Sequence, residues 1–115
     1  MIETTIKRFL ESKLSVPVLL EKPENQAPQY VIIEHTGGTQ KNTIPSTVFT
    51  IQSYELSLQK AAELNEEVKR WMLGGMDGLV TLNEIVSVEL NSDYNYTDTT
   101  TKEYRYQGVY NITHY

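Results

Sequence analysis

A chain of 115 residues has room for one hydrophobic core, burying roughly 65 % of its unfolded surface, and is too short for a second. With 15 acidic against 10 basic side chains, a formal charge of -5 and a pI near 5.0, it lacks the clustered Lys and Arg that nucleic-acid backbone or anionic lipid would reward. The absence of cysteine removes disulfides, thiolate catalysis and cysteine-ligated metal, and suits a reducing compartment.

From Ile2 to Leu14, the apolar residues Ile2, Ile6, Phe9, Leu10 and Leu14 recur three or four apart, which predicts a short helix with one face on a sheet. Glu3, Lys7, Arg8 and Glu11 fall on its solvent side. This segment has no sustained apolar run and no small-residue cleavage site. Nowhere does the chain approach the ~20 apolar residues needed to span a bilayer, so the expectation is a soluble, unexported protein without membrane contact. Ser15 and Pro17 interrupt the helix, and VPVLLE then reads as a short strand whose proline favours a sheet edge.

After the polar turn KPENQAP, two longer strands are expected, from about Gln29 to Thr36 and from about Ser46 to Tyr54, because both are rich in β-branched and aromatic residues. GGTQKNTIP between them reads as a long hairpin loop. It exceeds the about two to five residues of an ordinary hairpin connection, and such loops often serve recognition.

Leu58, Ala61, Leu64, Val68, Trp71 and Met72 then fall on one side of a helical wheel, with Gln59, Lys60, Glu63, Glu66, Glu67 and Arg70 on the other. Ser57 is placed to cap this helix. Glu66 and Arg70 form an i, i+4 pair, and Gly74 with Gly75 would permit a left-handed stop. Next, EIVSVEL alternates Val86, Val88 and Leu90 against Ser87 and Glu89, as a strand with one buried face does. In the last strand, KEYRYQGVYNITH, Tyr104, Tyr106, Tyr110 and Ile112 share one parity, and Gly108 marks a bulge or a close backbone approach. NSDYNYTDTTT between these strands reads as a second long loop. The resulting order, αβββαββ, specifies a single α+β domain with two helices packed on a largely antiparallel sheet.

Little in this sequence carries chemistry. His35 and His114 are far apart along the chain, and Glu34 and His35, adjacent on a strand, point to opposite faces. Asp93 and Asp98 lack the dense oxygen spacing and fixed glycine of a calcium loop, so they read as solvated turn acids. Gly37 and Gly38 follow a strand but do not open a helix as a phosphate cradle requires. Asn95-Tyr96-Thr97 and Asn111-Ile112-Thr113 match the glycosylation pattern, which has no consequence without export. The helical register of Trp71 favours core packing over an interface anchor. The eight tyrosines suit core or subunit contact better than base stacking, which would need a basic stripe. The expectation is therefore no enzyme, no cofactor and no metal.

VPVLLEKP, then QYVIIEHTGG, then the polar loop into STVFTIQSYELSLQKAAELNEEVKRWM, resembles the tail-terminator and minor capsid proteins encoded in the head-to-tail gene clusters of long-tailed bacteriophages and prophages. Order and spacing carry the resemblance, which covers most of the chain, from about Ser15 to Tyr110. It implies a virion subunit, assembled in the bacterial host cytoplasm, that forms a homo-oligomeric ring, typically a hexamer, on the tail tube protein. Such a ring stops tube growth and meets the head connector protein. DNA would pass through it without specific binding, and a mostly neutral or acidic wall avoids holding phosphates.

Under that reading, Gly37, Gly38, Thr39, Gln40, Lys41, Asn42 and Thr43 form the docking loop, with Lys41 as its only positive charge. Deleting Thr39 to Thr43 is expected to spare folding and impair tail joining. Val16, Val18 and Leu20 on the edge strand, with Tyr110 on the last strand, are expected at the subunit interface. A neighbouring neck protein between connector and tail, or a small ligand-binding domain, are the alternatives.

Overall fold

The computed structural model describes residues 2–23, 29–41, 44–101 and 103–115, and the backbone alone at 38–41 and 44. Its elements follow the expected order. Helix α1 spans Ile2–Glu11, and α2 spans Leu58–Leu73. The strands are β1, Val18–Leu19; β2, Tyr30–Lys41; β3, Ile44–Glu55; β4, Ile85–Asn95; and β5, Tyr104–His114. A single 3-10 turn, Leu79–Thr81, precedes β4. The five strands form one sheet in the order β1-β2-β3-β5-β4, with β1 parallel to β2 and every other pair antiparallel. The protein is an α+β domain with two helices and a mostly antiparallel sheet.

Strand alternation places the core. Val31 and Ile33 of β2, Phe49 and Ile51 of β3, and Tyr110 and Ile112 of β5 all face the helices, because directly paired residues share a face and every second residue points the same way. Ile6, Phe9 and Leu10 of α1 and Leu64, Val68 and Met72 of α2 close this layer. The opposite face carries a smaller cluster of Tyr30, Ile32 and Tyr54 with Leu19 against it, and the Tyr30 and Tyr54 rings stack at 4.6 Å.

Local chemistry explains the element ends. Ser57 caps α2 by accepting a hydrogen bond from the Lys60 amide at 3.2 Å. The helix stops at Gly74 in extended backbone (φ -62°, ψ 137°), not in the left-handed geometry that the paired glycines suggest. The chain then turns tightly, so that a Cβ at Gly78 would lie 2.0 Å from the Gly74 carbonyl oxygen. Glu66 pairs with Lys69 at 2.6 Å instead of with Arg70.

Both expected loops contain strand. The ladder of β2 and β3 continues from Gly37↔Val48 to Lys41↔Ile44, so Gly37, Gly38, Thr39, Gln40 and Lys41 belong to a long hairpin. The register shifts between His35 and Gly37, a bulge that lets glycines and polar residues continue a strand whose hydrophobic pattern has ended. Asn42 and Thr43 lie outside the described residues. Likewise β4 runs on to Asn95, paired with Tyr106, and an isolated bridge joins Asp98 to Glu103. Polar composition does not prevent backbone pairing, which needs only a partner strand.

In β4, a register shift between Ile85 and Ser87 turns Val86 outward, where it is 41 % exposed, while Ile85 takes the buried position. Val88 and Leu90 remain packed on the core.

Candidate functional site

The sheet has two open edges. β1 pairs only Val18 and Leu19, with Val31 and Ile32, so the outer edge of the 12-residue β2 beyond Ile32 has no strand beside it among the described residues. At the other end of the sheet, the 11-residue β4 has β5 on one side and, among the described residues, no strand on the other. Unpaired backbone N–H and C=O groups along such edges can accept a further strand. Bulges on both, at His35/Gly37 and in β4 at Ile85/Ser87 and Leu90/Ser92, interrupt their regularity and restrict which strand fits.

The residues expected at a subunit interface separate into two groups. Val18 is 1 % exposed and Tyr110 is 0 % exposed, so neither offers contact area to another molecule. Both point at the helices, and β5 lies between β3 and β4, which leaves it no free edge. Val16 is half-buried against the core, whereas Leu20 is exposed. The edge strand is thus an edge as expected, and of the residues expected at the interface Leu20 is the exposed one, with Val16 partly so.

Tertiary folding also builds a polar site that the linear sequence does not announce. Asp93 of β4 accepts hydrogen bonds from Asn65 Nδ2 at 3.0 Å and from Lys69 Nζ at 2.8 Å, both on α2. Lys69 also reaches Glu66. Lys69 holds the Asp93 carboxyl below its ordinary range against the opposing effect of burial, and Asp93 and then Glu66 raise the lysine. Both groups are thereby kept charged. A protonated lysine between two carboxylates is neither nucleophile nor base, so this arrangement fastens α2 to β4. A shallow depression of about 470 Å³ beside it is lined by Glu66, Lys69, Arg70, Leu73, Gly74 and Leu90. Asp93 reads as a turn acid in the sequence only because the hydrophobic alternation of β4 stops before it.

On the opposite face, Arg105 donates from Nη1 to the Tyr54 hydroxyl at 2.6 Å and from Nε to the Tyr96 carbonyl at 3.1 Å, with its guanidinium 4.4 Å from the Tyr96 ring centroid. Lys22 pairs with Glu103 at 3.0 Å, joining the segment after β1 to the one before β5. These contacts cover Tyr30 and Tyr54 where no helix does.

Each histidine has its own surroundings. His35 is exposed, within 3.7 Å of Glu3 and hydrogen-bonded to the Gly37 carbonyl at 2.8 Å, while His114 is buried and shares a 2.8 Å hydrogen bond with Thr47. Asp98 is held below its usual range by the Thr100 and Thr101 amides, which bind its Oδ1 within its own turn. Among the described residues, no group of three or more His, Asp or Glu could hold a metal ion, and no helix is long and apolar enough to cross a membrane. The chain matches no protein-family model and no curated protein.

Proposed function

We propose that this chain is a structural virion subunit of a long-tailed phage or prophage, which caps the tail tube as a ring and presents the surface that joins the tail to the head connector. The observation that supports the reading is the pair of open sheet edges at opposite ends of the strand order. A contact between the β2 edge of one copy and the β4 edge of the next is heterologous: it repeats head to tail and closes into a ring when its rotation divides a full turn. A half-buried lysine and aspartate, held charged as a pair, suit a scaffold better than a catalyst. The sequence resemblance supports a position for that scaffold at the head-to-tail junction.

Light scattering over a concentration series, with electron microscopy of the purified protein, tests this function. A hexameric ring, or a monomer that adds to isolated tube ends and stops their growth, is the expected result. A monomer at every concentration that also fails to bind tails overturns it.

A further inference from the structure

We propose that Lys13, Arg70 and Trp71 form a docking surface for an acidic polypeptide segment, separate from the sheet edges. Lys13 follows α1, and Arg70 and Trp71 lie in the last turns of α2. The Lys13 ammonium sits 5.0 Å from the Trp71 ring centroid and 5.8 Å from that of Phe9, and the Arg70 guanidinium carbon lies 4.7 Å from the Trp71 ring. Both cations are exposed, and Trp71 is half-buried with its inner side against the core.

What sets this surface apart among the described residues is that two cations without a carboxylate partner share one aromatic ring, although Arg8, Lys60 and Arg105 also hold no carboxylate. Carboxylates outnumber cations, and Lys7, Lys22 and Lys69 each hold one within 3.0 Å. Lys13 and Arg70 hold none among the described residues, although Glu66 stands one turn before Arg70 and pairs with Lys69 instead. An ammonium and a guanidinium together bring eight N–H donors to the surface, none committed to a partner here. Their π contacts with Trp71 hold both cations beside one ring and use none of those N–H donors, so each can take a carboxylate of its own. The ring edge and the aliphatic stems add apolar contact, the combination found in interface anchors. Phe9, beneath Lys13, also lines an adjoining groove of about 370 Å³ with Arg8, Leu82 and Glu84, and the Glu84 carboxylate bounds on that side the surface open to an acidic segment.

A short acidic segment fits this surface better than nucleic acid does. Two cations neutralise two carboxylates, whereas phosphate backbone rewards a longer basic run, and the exposed Glu63 and Glu67 on the same helix repel an extended polyanion.

Trp71 is the only tryptophan, so its emission reports directly on the site. Full-length protein titrated with a short peptide carrying two glutamates flanked by leucines is expected to show a saturable change in that emission. Lys13→Glu and Arg70→Gln should each weaken binding by about tenfold, and added salt should do the same. These positions are exposed, so both variants should fold, which circular dichroism checks. Absence of any emission change, wild-type affinity retained by both folded variants, or tighter binding of duplex DNA than of the peptide each overturns the proposal.

Discussion

The ring of Tyr110 lies over Gly108, two residues before it on the same face of β5: a Cβ built at Gly108 would meet Tyr110 Cε2 at 2.9 Å and the hydroxyl oxygen at 3.1 Å. The glycine is therefore the space the tyrosine occupies. Gly108→Ala should destabilise the protein by about 1–3 kcal/mol, because the ring has no room to move within a packed core. Combined with Tyr110→Ala, the same substitution should cost little, since alanine suits a strand better than glycine. Urea denaturation of the two single variants and the double variant measures this coupling. Strict additivity would refute it.

The Tyr110 hydroxyl is buried without a hydrogen-bond partner, and burial, with Asp93 and Glu66 nearby, pushes its ionisation far above the ordinary tyrosine range. Tyr110→Phe removes a polar atom that gains nothing from folding. Stability should be unchanged or should rise by up to about 1–3 kcal/mol. A lower melting temperature for this variant would mean that the hydroxyl has a partner after all.

The pair Asp93–Lys69 makes stability depend on pH at both extremes. Asp93 has a lowered folded pKa, so its contribution is present above its ordinary value of 3.8 and disappears as pH falls through the lower folded value. Lys69 is raised, so its contribution is complete below 10.5 and is lost as pH rises beyond it. Asp93→Asn should cost about 1 kcal/mol at neutral pH, as expected for a partly solvated pair. Wild type and variant should converge in acid. A deficit that persists below the folded value of Asp93 would assign the effect to packing instead.

The proposed contact between sheet edges makes Val86 the position to test, because it is exposed on the edge strand β4. Val86→Lys introduces the charge that natural edge strands use against pairing. The variant should stay within about 0.5 kcal/mol of wild-type stability and lose ring formation. Rings of normal size and yield would exclude β4 from the contact.

Shortening the hairpin should act differently from trimming a loop. Removing Thr39 to Thr43 deletes part of the ladder that pairs Thr39 with Ser46 and Lys41 with Ile44. Circular dichroism and thermal melts of that variant should therefore show some loss of strand and stability together with any loss of tail joining, whereas an unchanged melt would mean that these pairs contribute nothing.

The sequence alone determined both helices, the positions of the strands and the parity of β5, because side-chain periodicity reports which residues must leave water. It also announced Ser57 as a cap, whereas at Gly108 the expected bulge or close backbone approach is instead the side chain of Tyr110. Tertiary structure decided how far β2 and β4 continue, since backbone pairing along a polar ribbon needs only a partner strand and leaves no hydrophobic period to read. It decided that Tyr110 and Val18 lie inside the subunit, because alternation separates two faces without saying which one the helices cover. Asp93 met Asn65 and Lys69 only once β4 had been extended past Leu90 and laid beneath α2. Lys13 and Trp71 lie far apart in the chain and meet only where the end of α1 comes against α2; short-range patterns carry no signal of such an encounter, because it is set by how the two helices share one face of the sheet.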